Sequence, residues 1–289
     1  MKHIYKKILY LVFLLSPVLF WSGCHIINPS EPTPTYIHVD SFLFKGNLQH
    51  ITTSHQINTV WIYYNDNLIG TFDLPCTIPV ITTGASGTLT FAPGVEVDGM
   101  NNNLSGYAFY TLDTLTLATQ PGKTVTYEPK TGFYSDVKIQ VISNFDFGLT
   151  NLVQCAGDVP IITDTSAADQ YEGPGVGSIT LSAVGDSSVD STSNSFAIPY
   201  GETAFLELNY KSSVQFYVGI QSNIAGLTST PFYVAAFNPN SQWQKVYIAL
   251  QDFVATYTGA TYTFYIKAML PDGGSSGKLL LDNIQIVNF

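Results

Sequence analysis

Histidine is the side chain best suited to proton transfer near neutral pH. It occurs five times, at His3, His25, His38, His50 and His55, and the chain beyond residue 56 has none. A Ser-His-Asp or Cys-His nucleophile is thereby excluded from the C-terminal part, and so is a His-rich zinc site. No G-x-S-x-G, P-loop or H-E-x-x-H pattern occurs. Two carboxylates suffice for glycoside hydrolysis. Glu172, Glu202 and Glu207 are the only Glu after residue 132, and no spacing marks two of them as a pair.

Non-covalent chemistry is better represented. Side chains alternate between the two faces of a strand. Over 204–211, Leu206, Leu208 and Tyr210 share one face, and Phe205, Glu207, Asn209 and Lys211 the other. Over 215–220, Phe216, Val218 and Ile220 oppose Gln215 and Tyr217. Over 243–250, Val246, Ile248 and Leu250 oppose Trp243, Lys245 and Tyr247. Over 262–268, Phe264 and Ile266 oppose Thr263, Tyr265 and Lys267. The non-core side repeats aromatic, amide and lysine. Sugars need such groups: rings stack on C–H patches, while amides, Lys and Glu bond hydroxyls. Tyr217, Tyr247 and Tyr265 are the stacking candidates, and Glu207, Asn209 and Lys245 the polar ones. The competing reading is an ordinary sheet face, since Tyr favours strands. Such a face is either solvated or covered by the N-terminal domain or by residues 158–194.

Lys2, Lys6 and Lys7 precede an apolar run over 8–20, broken only by Ser16 and Pro17. A basic start and a short apolar stretch make a secretory signal, too short to span a bilayer. Ser22-Gly23-Cys24 follows and resembles the lipobox of bacterial lipoproteins. Trp21 departs from that pattern, which has an aliphatic residue there. The resemblance implies cleavage before Cys24 and acylation of its thiol, and several acyl chains anchor stably where one would not. Residues 28–35, NPSEPTPT, read as a stiff tether. Without the signal, eight Lys face 21 acids, a net charge of −13 with no Arg. Such a chain repels phosphate backbones, which excludes nucleic acid as a partner. Cys76 and Cys155 remain, far apart in sequence, as a pair an oxidising compartment could join.

The remaining length suits two β domains. Over 36–132, TVWIYY, the polar NDN and LIGTF read as strand, turn and strand, and short strands continue at regular spacing. This stretch resembles small Ig-like repeat domains of bacterial surface proteins, including the PEGA type, which implies a spacer or docking module. Residues 133–289 open with SNFDFG and close with LLLDNIQI. Those ends resemble the galactose-binding-like jelly roll of carbohydrate-binding modules. The fold class expected is therefore all-β, an Ig-like sandwich followed by a jelly-roll sandwich. Asp282 is expected on the core face with Leu280, Ile284 and Ile286, where a carboxylate needs a partner. The resemblance implies a structural calcium at Asp146 and Asp282; the alternative is that Asp282 caps backbone N–H groups. Residues 184–194, rich in Ser, Asp and Thr, have the composition of a loop.

The whole resembles surface lipoproteins of Bacteroidota, lipid-anchored in the cell envelope and most readily at the outer membrane. Three function classes follow. The first is a non-catalytic lipoprotein binding glycan through its jelly roll. The second is an assembly subunit of an envelope protein complex, and the third is a glycoside hydrolase. Burial of the polar strand face against the first domain would favour the second.

Overall fold

The computed structural model describes residues 4–6, 31–46, 52–100, 103–146, 150–227 and 229–289. Cys24, the expected signal sequence apart from residues 4–6, and the start of the expected tether lie outside them. The described chain is all-β, two sandwiches joined along one seam.

In the first domain, Thr59–Tyr64 and Asn67–Asp73 form the expected hairpin. Asn65 and Asp66 turn it with φ of 48° and 63°. Two successive left-handed residues match the twist of the flanking strands, and Asn and Asp tolerate that conformation. The hairpin lies in a sheet with Ser86–Glu96, Leu104–Gly106 and Asp113–Ala118. A second sheet holds Cys76–Val80, Thr35–Val39 and Thr124–Thr126. Ile37, Val60, Ile62, Ile78, Leu89 and Phe91 pack together as this domain's core.

The second domain is a jelly-roll sandwich of two antiparallel sheets. The seam sheet runs Ile162–Asp164, Val176–Leu181, Gly277–Asn288, Ala204–Ser212, Asn240–Ala249, with Lys138–Ser143 also paired to Gly277–Asn288. The open sheet runs Leu152–Gly157, Ser187–Thr192, Thr261–Met269, Phe216–Asn223, Phe232–Phe237. Leu206, Leu208, Ile284 and Ile286 from one sheet meet Phe216, Val218, Phe264 and Ile266 from the other.

Two expectations need correction. Ser187–Thr192, expected within a loop, is a strand inside the open sheet. Its inward polar groups are bonded: Ser188 donates to Asp190 at 2.6 Å, and Thr192 accepts from the Phe264 N–H at 3.2 Å. Satisfied polar groups cost little to bury, so composition misleads. Asp282 does not face the core. Asn283 adopts φ 51°, and the pairing with Ala204–Ser212 shifts there. The bulge reverses the alternation. Leu279 and Leu281 point inward before it, Ile284 and Ile286 after it. Asp282 stands opposite Asn209, on the outer side. Cys76 and Cys155 are free thiols.

The seam explains the polar strand face. Tyr107, Phe109 and Tyr110 of the first domain, with Phe133 at the boundary, pack on Tyr247 and Val287 of the second, with Phe205 against them. Beneath these rings Lys245 Nζ lies 2.6 Å from Glu207, both side chains almost wholly buried. Glu207 also accepts from the Tyr107 hydroxyl and, at 2.9 Å, from Gln285 Nε2. Lys245 Nζ donates to the Ser54 carbonyl at 2.9 Å, and Asn209 Nδ2 to Ser54 Oγ at 2.8 Å. The Tyr247 hydroxyl accepts from the Gln56 N–H at 2.9 Å. The first sandwich also continues onto the edge strand Asn240–Ala249. Val97 bridges Tyr247, Asp98 N donates to the Tyr247 carbonyl at 2.8 Å, and Ala249 N donates to Asp98 Oδ1 at 2.9 Å. That covers an edge which would otherwise present unpaired backbone groups.

Glu207, Asn209, Lys245 and Tyr247 therefore belong to a joint between domains, not to an open ligand face. Removing one partner of the buried ion pair strands the other charge. Lys245→Met is expected to cost about 3–5 kcal/mol in urea denaturation. The double change Glu207→Leu with Lys245→Met should cost less than Lys245→Met alone, since no charge is left unpaired. A Lys245→Met protein as stable as the parent would show that the pair does not hold the seam.

Candidate functional site on the open sheet

The two sheets of the second domain turn their outer faces in opposite directions. The six residues expected on one face are thereby divided. Glu207, Asn209, Lys245 and Tyr247 lie on the seam sheet and are buried. Tyr217 and Tyr265 lie on the open sheet, pointing away from its core.

Thr261–Met269 and Phe216–Asn223 pair so that Tyr217 faces Lys267 and Gly219 faces Tyr265. The next strand, Phe232–Phe237, brings Tyr233 opposite Gly219, with a register shift at that point. Three tyrosines thus surround one glycine. A Cβ at Gly219 would come within 3.1 Å of the Tyr233 ring and 3.2 Å of Tyr265 Cβ. The absence of a side chain lets Tyr233 and Tyr265 close over the glycine backbone. Tyr217 and Tyr233 meet edge to face, centroids 6.1 Å apart at 71°. Lys267 Nζ sits 5.6 Å from the Tyr233 centroid, within cation–π range.

Polar side chains fix the rings. The Tyr217 hydroxyl donates to Gln215 Oε1 at 2.6 Å, and the Tyr265 hydroxyl to Gln221 Oε1. Gln221 is held in turn, its Nε2 donating to the Ser229 carbonyl at 2.8 Å. Asn223 Nδ2 donates to Thr263 Oγ1 at 2.9 Å beside it. Burial pushes the Tyr233 and Tyr265 phenols up, and the nearby Cys155 thiol adds to the rise. Both stay neutral at physiological pH and keep their O–H. Tyr233 was not among the expected residues. Its signal was present in the aromatic-rich FYVAAF, but the bulge that aims it at Gly219 has no sequence signature.

Asp146 and Asp282 lie near each other with Glu172 between loops. Asp282 is buried; it accepts from the Asn283 N–H at 2.8 Å and the Glu172 N–H at 3.3 Å. Burial, with the charges of Asp146 and Glu172, pushes its carboxyl up to about 7. Asp146 accepts from the Asn144 amide at 3.2 Å and from the Gly175 N–H at 3.2 Å, lying against Gly173 where a Cβ would clash. Among the described residues no group of three or more His, Cys, Asp or Glu is disposed to hold a metal ion.

No family model and no curated protein matches the chain. Solved structures show a distant likeness. One is the family 30 carbohydrate-binding module of a cellulosomal cellulase of Clostridium thermocellum, 14% identical with TM-score 0.38, over 52% of this chain and 96% of that one. Another is the family 11 module of a second cellulosomal cellulase of that organism, 16% identical with TM-score 0.38, over 54% and 97%. A third is the enzymatically active domain of a bacteriophage CBA120 tailspike protein, 9% identical with TM-score 0.35, over 54% and 20%. The functional reading rests on the residues of this chain instead.

Rings on an open face contribute little to stability, whereas rings in a seam contribute much. Tyr217→Ala and Tyr233→Ala should each change unfolding free energy by less than about 1 kcal/mol. Tyr107→Ala should cost about 3 kcal/mol or more. Urea melts of the three variants check this. A Tyr233→Ala loss equal to that of Tyr107→Ala would make Tyr233 a core residue.

Proposed function

We propose that this chain is a non-catalytic, lipid-anchored cell-envelope protein that binds glycan on the open sheet. The observation that carries the reading is the group of Tyr217, Tyr233 and Tyr265 around Gly219. A sugar ring laid over this group would stack its C–H face on the tyrosines, and Gln215, Gln221 and Lys267 would reach its hydroxyls. The acylated Cys24 would tie the protein to the membrane through the tether. The first domain, fixed rigidly by the seam, would hold the open sheet away from the lipid.

A broad glycan array probed with the full chain in detergent tests this. Saturable binding to at least one glycan is expected. Tyr217→Ala and Tyr233→Ala should each weaken it about tenfold, corresponding to ~1.4 kcal/mol. No binding by folded protein would shift the reading to an assembly subunit, and crosslinking in native envelopes would then identify its partner.

Calcium is the cofactor we propose, with Asp146 and Asp282 as its two carboxylate ligands and backbone or water oxygens completing the shell. What supports it is a buried carboxylate near two like charges, with hard oxygen donors and no cationic side chain bonded to it. Without a cation, a proton serves instead, and the pH dependence follows. Asp282 titrates near 7 when folded and near 4 when unfolded. The folded state binds the extra proton between those values, so stability falls as pH rises from about 4 to about 7 and is level above that. The fall is at most about 4 kcal/mol. Added calcium should abolish it, with the largest gain in melting temperature above pH 7. Asp282→Asn should remove both effects. A pH profile indifferent to calcium would overturn the metal assignment.

A further inference from the structure

Beside the buried ion pair the two domains line a partly open cavity of about 200 Å3. Asn58 and Glu96 line it from the first domain; Tyr210, Phe237, Asn238 and Asn240 line it from the second. That space takes several waters and is also room for one hexose.

One of its polar groups is buried without a partner. Asn58 Oδ1 is buried and unbonded, although its backbone N–H donates to the Gly94 carbonyl at 3.3 Å and its carbonyl accepts from Leu74 N at 2.9 Å. The half-buried Glu96 also lines it, its carboxyl pushed up by burial and by the Asp73 charge. Asn240 Oδ1 accepts from Gln242 N at 2.9 Å, and Asn238 Oδ1 from Gln215 Nε2 at 3.4 Å. Both amide nitrogens remain available as donors. Buried polar groups are costly unless something bonds them.

The chemistry of those groups selects an occupant. Acceptors at Asn58 and Glu96 and donors at Asn238 and Asn240 suit a molecule whose every polar group does both, as a hydroxyl does. Phe237 supplies an apolar wall, packed so closely to Gly99 that a Cβ there would come within 2.7 Å of the ring. Lys245 lines the cavity but is committed to Glu207 and the Ser54 carbonyl. An anion would meet Glu96 with no free ammonium to offset it.

We propose that this cavity is a second sugar site that takes a single neutral monosaccharide unit, free or as a chain end. It stands apart from the open face, and neither site depends on the other. The test uses calorimetric titration of the full chain with D-glucose, D-galactose, D-mannose and N-acetyl-D-glucosamine at millimolar concentration. Three variants accompany the parent. Asn238→Trp blocks the cavity from an exposed position, Glu96→Gln removes its acceptor charge, and Tyr217→Ala strips the open face. At least one sugar should bind saturably to the parent. Its Kd should rise at least tenfold in Asn238→Trp and about threefold or more in Glu96→Gln, and stay unchanged in Tyr217→Ala. Binding that survives both cavity variants, or binding lost only in Tyr217→Ala, would overturn the proposal. So would the absence of binding by all four sugars, which would make the cavity a water-filled joint.

Discussion

The ion pair between Glu207 and Lys245 constrains the rest of the molecule. Two charges removed from water lose far more hydration than a surface pair regains, so every remaining bond must be made. Here they are made across the domain boundary. Tyr107 reaches Glu207 and the Ser54 carbonyl reaches Lys245. Neither domain alone satisfies the pair, and only one relative placement does. Such a pair adds little to stability over apolar packing, yet it specifies geometry. The ring cluster above it supplies the apolar burial, and the Val97–Tyr247 bridge makes the backbone continuous.

That placement divides the second domain's surfaces by task. The seam sheet spends its outer face on the first domain. The open sheet looks the other way and keeps its tyrosines in solvent. Similar residue types therefore do different work on the two sheets. Tyr247 is sealed, accepting from the Gln56 backbone. Tyr217, half-buried, and Tyr233, exposed, stand edge to face. The difference lies not in the side chains but in what sits opposite the strand.

This is also where sequence reading succeeds and where it stops. The hairpin around Asn65 and Asp66 was legible because two adjacent residues decide a turn. The core positions Leu206, Leu208, Phe216 and Phe264 were legible because alternation is a property of one strand. Which sheet a strand joins is decided by pairing between distant segments, so Glu207 and Tyr217 looked alike. Asp282 was misplaced for a related reason. A single left-handed residue, Asn283, inverts the face of everything before it relative to everything after. Ser187–Thr192 looked like a loop because composition does not show the hydrogen bonds that pay for its burial.

Charge narrows what the open face can recognise. Residues 24–289 carry a net charge of −13 on eight lysines. Several of those are occupied. Lys245 is sealed in the seam, Lys278 pairs with Asp164 and Asp169, and Lys138 donates to the Phe289 carbonyl. Lys267 remains beside the tyrosines, already drawn to the Tyr233 ring. One lysine cannot offset the field of the whole chain, so polyanionic glycans are repelled before they reach the face. Stacking on the rings and bonding to neutral amides carry no such penalty. The glycan proposed for this face is therefore a neutral one, with a C–H side flat enough to lie across the tyrosines.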